Sequence, residues 1–162
     1  MNIIVAVSAN WGIGYEDQLL FHIREDQQFF RTMTLGKVVV YGRTTLASFR
    51  DAKPLPDRTN IVLSRNPELV IPGVTICHSI PQLSELLKLY PTEDVFIIGG
   101  ESVYAQFLNA CTTAYITKID VAPPADTFFP NLDALPSWRL VDESEAKMDK
   151  KGRMYRFCTY GK

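Results

Sequence analysis

The stretch DVFIIGGESVYAQFLNA, residues 94–110, predicts a buried strand that passes through two glycines directly into a helix. Its first part is a near-continuous apolar run, which is typical of a strand covered on both faces. Similar β-branched runs occur at residues 3–8, 37–42, 60–64 and 74–79, and helical patterns occur at residues 25–33, 44–49 and 79–90. Strands that alternate with helices in this way predict an α/β fold with a largely parallel sheet.

The end of the chain has a different pattern. A further strand is predicted from Thr112, and the segments WRLVDESEA and MYRFCTY flank the turn KMDKKGR, which has the composition of an antiparallel hairpin. A length of 162 residues suits one domain with a single core. We therefore predict one α/β domain, residues 1–162, in which a central mixed and mostly parallel β-sheet is flanked by helices and carries a C-terminal antiparallel hairpin.

Charge and composition exclude several classes of protein. The formal net charge is −1, with 17 basic and 18 acidic residues and no block of like charge, which argues against a nucleic acid partner. No apolar stretch is long enough to cross a bilayer, and the N-terminus lacks the basic leader of a signal peptide. The three cysteines are far apart and the two histidines lie in no metal-ligand spacing, so no disulfide framework or metal site is expected. We expect a soluble, cytoplasmic protein that does not bind membranes.

Two adjacent acids, Glu25 and Asp26, interrupt the apolar and aromatic stretch LLFHIREDQQFF. In a helix, side chains three and four residues apart share a face, which places Asp26 beside Phe29 and Phe30 and places Glu25 beside more polar residues. The helix dipole favours negative charge in a first turn, and this explanation suits Glu25. For Asp26 the helix dipole and a functional role are equally good explanations, because a carboxylate on an apolar face is costly unless it is paired or takes part in function. We expect burial to raise the pKa of Asp26 above its ordinary value.

Three junctions between strand and helix carry residues suited to phosphate binding. In an open α/β sheet, ligands bind beyond the carboxyl ends of the strands, and Gly99 and Gly100 would let the backbone approach a pyrophosphate there. Taken alone, such a pair is more often a tight turn. The segments YGRTTL and VLSRN add Arg43 and Arg65, each beside hydroxyl side chains. Each arginine alone is more often a surface charge, but two of them match the oxygens of a phosphate monoester. A pyrophosphate site together with a monoester site indicates NADPH in preference to NADH.

A second pair of glycines, Gly12 and Gly14 in WGIGYED, does not complete a dinucleotide-binding fingerprint, because no third glycine follows. We interpret these two glycines as hinges of a mobile loop. The segments PLPDR and DVAPPAD are predicted to be loops stiffened by proline.

The chain resembles the dihydrofolate reductase family in a series of motifs that occur in the family's order and with its spacings. These motifs are IVAVSANWGIG, REDQQFF, TLGKVVVYGRTT, PLPDRTNIVLSR, FIIGGESVYAQFL, AYITKID and DTFFP. The match spans nearly the whole chain, and the set is specific although single motifs are not. The resemblance implies that the protein reduces 7,8-dihydrofolate to 5,6,7,8-tetrahydrofolate, by hydride transfer from NADPH to C6 with protonation of N5 assisted by Asp26. It also implies antifolate inhibitors as ligands and a monomeric enzyme.

The resemblance also assigns roles to individual residues through their places in the matching motifs. The catalytic set would be Asp26, Thr117 and Phe21, with Thr117 supporting the carboxylate. The substrate pocket would be formed by Ile4, Val5, Leu19, Gln27, Phe30, Phe49, Leu55 and Ile98, and Arg58 would pair with the carboxylate of the substrate's glutamate tail. The cofactor would be bound by Ala6, Ile13, Gly42, Arg43, Thr44, Thr45, Leu63, Ser64, Arg65, Gly99, Gly100, Glu101, Ser102, Val103 and Tyr104, of which Arg43, Ser64 and Arg65 would contact its 2′-phosphate.

The chain departs from the family pattern near the acid and near the phosphate site. Leu20 and Phe21 stand where the family commonly has Pro-Trp, Arg24 stands where proline is common, and Glu101 stands where many relatives have glycine or alanine. Phe21 keeps the bulk of tryptophan but lacks the indole N–H, and the charge of Glu101 would modestly weaken cofactor binding.

Two alternatives to a dihydrofolate reductase remain open from the sequence. One is the reductase that acts on a ribosylated pyrimidine in riboflavin synthesis, which shares this architecture. Its members are not expected to combine an acid at Asp26 with an arginine at Arg58. The other is a catalytically silent module that binds a nucleotide or a pterin, which would bind NADPH without oxidising it in the presence of dihydrofolate.

Overall fold

The computed structural model describes all 162 residues, which form twelve strands and four α-helices. The strands are β1 Asn2–Val7, β2 Gly12–Tyr15, β3 Gln18–Leu19, β4 Val38–Gly42, β5 Thr59–Leu63, β6 Val74–Cys77, β7 Val95–Gly99, β8 Thr113–Ile119, β9 Thr127–Phe128, β10 Arg139–Glu143, β11 Lys147–Met148 and β12 Met154–Gly161. The α-helices are α1 Arg24–Thr34, α2 Arg43–Leu46, α3 Ile80–Leu87 and α4 Glu101–Phe107. Short 3-10 turns occupy Arg50–Ala52, Thr92–Asp94, Leu108–Ala110 and Leu132–Ala134.

Nine of the strands form a central sheet in the order β10-β12-β8-β1-β7-β4-β5-β6, and β11 pairs with β12 beside that path. The strands from β8 to β6 in this order are parallel to their neighbours. In contrast, β12 runs antiparallel to β8, β10 and β11. The predicted mixed and mostly parallel sheet is therefore confirmed. The C-terminal hairpin is also present, although β11 pairs within the stretch that was predicted to be a turn.

The register of the parallel strands brings the predicted phosphate and substrate residues to one edge of the sheet. Ala6 of β1 lies opposite Thr117 of β8, and Gly42 of β4 lies opposite Leu63 of β5. Tyr41 of β4 lies opposite Gly99 of β7. Because parallel strands end at the same edge, the residues that follow β1, β4, β5 and β7 are neighbours in space.

Alternate residues along the central strands face the two sides of the sheet, as the two-residue period of a strand requires. On β4, Val38 and Val40 belong to a buried cluster that includes residues of α3 and α4. Val39 and Tyr41 belong to a second cluster, which is covered by Phe29 and its neighbours on α1. The apolar side of α1 is therefore packed on the opposite face from α3 and α4, and this packing holds the first turn of α1 beside the sheet.

Gly12 and Gly14 lie in a strand, and the interpretation of this segment as a mobile loop is wrong in that respect. The strand β2 pairs antiparallel with β3 and with β9, and the three strands form a separate small sheet. A Cβ atom on Gly12 would lie 2.8 Å from Cβ of Ala125, and one on Gly14 would lie 2.6 Å from Oγ1 of Thr127. Gly14 therefore permits the close approach of β9, and Gly12 permits that of the segment before it.

Two helices are shorter than the sequence predicted. The helix expected at residues 44–49 is a single turn, Arg43–Leu46, and Phe49 precedes a 3-10 turn. The helix expected at residues 79–90 ends at Leu87, and its start is capped by Ser79, whose Oγ accepts a hydrogen bond from the Gln82 N–H at 3.2 Å. None of the helices has both the length and the apolar character that crossing a bilayer requires.

Candidate active site

A cleft of about 390 Å³ opens beyond the carboxyl ends of β1, β4 and β7, where α1 and the β2–β3 hairpin form its other walls. Most of the predicted site residues line it. These residues are Ile4, Val5, Ala6, Ile13, Leu19, Phe21, Asp26, Gln27, Phe30, Thr44, Thr45, Phe49, Leu55, Ile98, Gly99, Gly100, Glu101 and Tyr104. The structure therefore brings the predicted acid, the apolar pocket residues and the Gly-Gly junction into one cavity.

Asp26 lies in the first turn of α1, where its partly buried side chain faces the cleft. The hydroxyl of Thr117 donates a hydrogen bond of 2.6 Å to Asp26 Oδ1. Thr117 itself is only 2% exposed and lies behind the acid on β8, so it supports the carboxylate without lining the cleft. Burial raises the pKa of Asp26, as expected, and the hydrogen bond from Thr117 offsets part of that rise. One carboxylate oxygen, Oδ2, is left without a side-chain partner.

The neighbouring acid, Glu25, is exposed and has a different environment. The hydroxyl of Tyr155 donates a 2.5 Å hydrogen bond to Glu25 Oε2, and the ammonium of Lys147 lies 3.5 Å from Oε1. These two groups hold the pKa of Glu25 below its ordinary value, mainly through the Tyr155 hydrogen bond. Glu25 therefore binds to the C-terminal hairpin, and Asp26 is the acid of this pair that faces the cavity.

Apolar side chains form the wall of the cleft around the acid. Ile4 and Ile98 project from β1 and β7, and Phe30 projects from α1. The ring of Phe49 packs edge-on against Tyr41, with ring centroids 5.0 Å apart. A flat aromatic or heteroaromatic ring would be covered on its faces by these groups, while its polar edge could reach the carboxylate of Asp26.

At the junction between β7 and α4, the backbone lies close to the side chain of Thr45. Gly99 has a φ of +137°, which favours glycine, and a Cβ atom there would lie 3.1 Å from Oγ1 of Thr45. The peptide bond between Gly99 and Gly100 is cis. Tyr104, in the first turn of α4, is 3% exposed, and its hydroxyl donates a 3.0 Å hydrogen bond to the carbonyl oxygen of Ile4. Burial and the charge of Asp26 raise the pKa of this hydroxyl, so Tyr104 remains a neutral donor.

Glu101, which departs from the family pattern, has a specific partner in the fold. Its carboxylate accepts a hydrogen bond from the backbone N–H of Phe128 in β9. The side chain therefore connects the start of α4 with the small three-stranded sheet. Ser102 is exposed on the outside of α4, whereas Val103 belongs to the main core, so neither lines the cleft.

The residues predicted to bind a 2′-phosphate lie together at the ends of β4 and β5, outside the main cleft. Arg43 and Arg65 are exposed, and neither forms a salt bridge in the structure. Gly42 and Leu63, which precede this group, are paired across the two strands. The carbonyl oxygen of Ser64 lies 2.9 Å from Nδ1 of His78. Because a carbonyl oxygen only accepts, that ring nitrogen donates, and His78 is a neighbour of this group that sequence reasoning missed.

Arg58 lies outside the main cleft and is held in place by the end of α1. Its Nε donates a 2.9 Å hydrogen bond to the carbonyl oxygen of Pro56, and its Nη1 lies 3.2 Å from Oγ1 of Thr34. Burial, and secondarily the charge of Arg31, lower the pKa of Arg58, which nevertheless remains a cation. Arg58 is thus a fixed, partly buried guanidinium, unlike a freely solvated surface charge.

Several lining residues were not predicted from the sequence. They are Gly14, Tyr15, Asp17, Gln18, Leu20, His22, Ser48, Arg50 and Thr127. Most of them belong to the β2–β3 hairpin or follow it, and Thr127 belongs to β9. A turn signal was present at Glu16 and Asp17, but the pairing with β9 that places this hairpin over the cleft joins distant parts of the chain and leaves no local pattern.

Comparisons with known proteins agree on one family. The sequence profile described as dihydrofolate reductase matches residues 1–162. The dihydrofolate reductase of Neisseria gonorrhoeae is 36% identical over 161 residues, which cover 99% of this chain and 96% of the relative. The dihydrofolate reductase type 3 of Salmonella typhimurium is 36% identical over 151 residues, which cover 93% of this chain and 90% of the relative.

A solved structure extends the similarity from sequence to fold. The dihydrofolate reductase from Enterococcus faecalis, complexed with NADP(H) and RAB-propyl, superposes with a TM-score of 0.84 at 32% sequence identity. The alignment covers 99% of this chain and 94% of that protein. With a profile match along its entire length and relatives this similar, the chain belongs to the dihydrofolate reductase family.

Proposed function

We propose that this protein uses NADPH to reduce 7,8-dihydrofolate to 5,6,7,8-tetrahydrofolate, and that Asp26 assists protonation of N5. The observation that carries the proposal is the environment of Asp26. Three carboxylates line the cleft, but Asp17 and Glu101 are exposed, whereas Asp26 is partly buried and hydrogen-bonded to a buried hydroxyl. Family membership and the NADP(H) bound in the similar solved structure support the same reaction.

Asp26 would bind the substrate ring through its polar edge. Thr117 occupies Oδ1 from behind and orients the carboxylate, which leaves Oδ2 to accept from the amino group and ring nitrogens of the pterin. A raised pKa brings the carboxyl group closer to the pH at which it can exchange a proton, which suits a group that assists protonation. The apolar wall excludes water from the ring face, so that the proton is supplied in a defined direction.

The junction of β7 and α4, together with the ends of β4 and β5, fits a phosphorylated dinucleotide. The φ of Gly99 favours glycine, and a Cβ atom there would lie in tight contact with Thr45; a backbone without a side chain suits a pyrophosphate held against it. Arg43 and Arg65 are cations without an ion-pair partner, which suits a phosphate monoester. NADPH bound there would supply a hydride. Ala6, Ile13 and Tyr104 line the same cleft and would fix the reacting ring.

Arg58 would bind the carboxylate of the substrate's glutamate tail. The two hydrogen bonds to Pro56 and Thr34 fix the guanidinium. Its remaining N–H groups are free to donate two parallel hydrogen bonds to a carboxylate. Leu55 and Phe49 line the cleft on the same segment and would cover the connecting part of the substrate. Antifolates would compete with dihydrofolate for Asp26 and the apolar wall. We expect the protein to act as a monomer of one domain, which size-exclusion chromatography with light scattering can test.

The decisive experiment measures the loss of reduced-nicotinamide absorbance when dihydrofolate is added to the protein and NADPH. Oxidation of NADPH that depends on dihydrofolate, with tetrahydrofolate identified as the product, is the expected result. NADPH binding without turnover would indicate a silent binding module, and turnover only with a ribosylated pyrimidine would indicate the riboflavin-pathway reductase. Asp26→Asn serves as the inactive reference, and Asp17→Asn is the matched control because Asp17 also lines the cleft but is exposed.

A further inference from the structure

The C-terminal hairpin, formed by β11, the turn at residues 149–153 and β12, reaches back to the part of the chain that carries the acid. The hydroxyl of Tyr155 donates to Glu25 at 2.5 Å, next to Asp26 in sequence. The guanidinium carbon of Arg153 lies 5.3 Å from the centroid of the Phe21 ring. Phe21 is buried and lines the cleft, whereas neither Arg153 nor Tyr155 does. From outside the cavity, Tyr155 therefore contacts the first turn of α1, and Arg153 contacts Phe21 in the segment that leads into this helix.

Arg153 is itself held in one position. Its Nε donates a 2.6 Å hydrogen bond to Asp149 Oδ2, and the side chains of Arg153 and Asp149 are 20% and 6% exposed. Asp149 Oδ1 also accepts from the backbone N–H groups of Lys151 at 2.9 Å and Arg153 at 2.8 Å. Desolvation alone would raise the pKa of Asp149, but these bonds lower it, so the carboxylate stays ionised. A cation fixed over an aromatic face is attracted by the ring and restricts its movement.

The first turn of α1 has little local support. Ile23 precedes the helix and provides no side-chain cap, so the turn lacks the hydrogen bond that usually fixes a helix start. Phe21, Ile23 and Tyr155 instead share a small buried cluster with Ile119 of β8. Burial and the bond to Glu25 raise the pKa of Tyr155 to about 12, which keeps its hydroxyl protonated and donating. The hairpin thus supports this turn through side-chain contacts, although none of them accepts a hydrogen bond from the free backbone N–H groups as a cap would.

We propose that Arg153 and Tyr155 are positioning residues, which hold Phe21 and the first turn of α1 so that the carboxylate of Asp26 keeps its orientation in the cleft. This inference rests on the proposed function for its catalytic consequence. Reaction rates depend steeply on the placement of the reacting groups, because a displacement of about 1 Å costs on the order of a hundredfold. Loss of either contact, which leaves the core and the cofactor junction intact, should lower the rate of hydride transfer by about tenfold.

The test uses three variants and one control. Tyr155→Phe removes only the hydroxyl, and Arg153→Gln removes the cation while keeping a polar side chain. Arg153→Lys keeps a cation near Phe21 and Asp149 and should restore most of the rate. Arg156→Gln is the control, because Arg156 lies on the same strand but is 48% exposed and 3.7 Å from Glu143, away from α1. For each protein we would measure hydride transfer in a single turnover, the Kd for NADPH, thermal stability and amide hydrogen exchange at residues 21–28.

We expect Tyr155→Phe and Arg153→Gln to slow hydride transfer and to speed exchange at residues 24–28, with an unchanged Kd for NADPH, while Arg156→Gln resembles the wild type. Exchange and hydride-transfer rates equal to those of Arg156→Gln would overturn the inference. So would a uniform loss of thermal stability and NADPH affinity without a specific loss of rate. If the wild type oxidises no NADPH with dihydrofolate, the proposed function fails. The exchange comparison needs no substrate and still decides whether the hairpin supports α1.

Discussion

At the scale of single residues, Glu25 and Asp26 show how two adjacent acids acquire opposite properties. Successive side chains along a helix differ in direction by about 100°. Glu25 therefore points outward and bonds to Tyr155, whereas Asp26 faces the cleft. The Tyr155 hydrogen bond lowers the pKa of Glu25, whereas burial raises the pKa of Asp26. The helix dipole acts on both, so the surroundings decide the difference.

Replacement of Asp26 should slow turnover and leave cofactor binding intact. Asp26→Asn should bind NADPH with nearly normal affinity but lose about 10²- to 10⁴-fold in turnover near neutral pH, the usual contribution of general acid–base catalysis. Activity should recover partly in acid, where protonation of the substrate in solution replaces the missing group. Initial rates across pH would check this, and comparable activity of the variant and the wild type at neutral pH would contradict it.

The raised pKa of Asp26 also has a consequence for stability. A group whose pKa is higher in the folded state binds more protons when folded, so the free energy of unfolding falls as pH rises through the interval between the unfolded and folded pKa values. At pH 7 the ionised carboxylate therefore opposes folding. Denaturant unfolding should show that Asp26→Asn is more stable than the wild type at pH 7. The difference should shrink as the pH approaches the ordinary value for aspartate, about 3.9. An Asp26→Asn protein that is less stable than the wild type at pH 7 would contradict the predicted direction of this change in stability.

The arginines at the ends of β4 and β5 should determine the choice of cofactor. Arg43→Ala combined with Arg65→Ala should weaken NADPH binding much more than NADH binding, because each lost charge-assisted bond to the 2′-phosphate is worth about 1.5 to 3 kcal/mol. The measurement is the ratio of the dissociation constants for NADPH and NADH. Arg139→Ala, on an exposed strand at the opposite edge of the sheet, is the control. An unchanged ratio would place the phosphate elsewhere.

At the scale of elements, the small sheet of β2, β3 and β9 connects the two ends of the cleft. The β2–β3 hairpin covers the cavity, and β9 holds it by pairing with β2. The backbone N–H of Glu16 donates a 3.0 Å hydrogen bond to Asp126 just before β9, and Glu101 bonds to Phe128 within it. This sheet therefore joins the β2–β3 hairpin over the cleft to the start of α4.

A side chain at Gly14 should disrupt this sheet. Its Cβ atom would lie 2.6 Å from Oγ1 of Thr127, so Gly14→Ala should cost about 1 to 3 kcal/mol through overpacking and should also raise the KM for dihydrofolate. Gly161→Ala is the matched control, because its nearest side-chain neighbour would lie at an ordinary 3.5 Å. Chemical denaturation and steady-state kinetics would measure both effects. Equal behaviour of the two variants would show that β9 can move away at no cost.

At the scale of the whole molecule, the β7–α4 junction and the ends of β4 and β5 belong to the same sheet on which α1, the helix of Asp26, packs, so ligand binding there should stabilise the entire fold. At a NADPH concentration 100 times its Kd, the gain is about 2.7 kcal/mol. For a protein of this length that gain corresponds to roughly 5 to 10 °C in Tm. Asp26→Asn should keep the full shift, whereas the Arg43→Ala, Arg65→Ala protein should lose most of it. Thermal unfolding with and without NADPH would measure this, and a full shift in the double variant would contradict the assignment of the phosphate site.

Much of the architecture was predictable from local pattern. The near-continuous apolar runs of β4 and β7 identify strands buried on both faces, and their alternation with helical segments predicts the mostly parallel sheet, which the structure confirms. The carboxyl-end rule then indicated that Thr45 and Gly99 would meet at one edge, and both line the cleft. These features follow from short-range periodicity and from one general rule of topology, so a single sequence is enough to predict them. Asp26, which the family resemblance assigned to the pocket, lines the same cleft.

Only the tertiary structure decided how the distant segments pair. No local pattern in Gly12–Tyr15 predicts that this segment pairs with Thr127–Phe128 and is a strand. Likewise, no pattern near Phe21 predicts its contact with Arg153. Thr117 was assigned from family resemblance, but its hydroxyl reaches Asp26 because the β1–β8 register places it there. Such contacts are selected by shape, by register and by the satisfaction of buried polar groups across the sheet, and these properties exist only once the chain is folded.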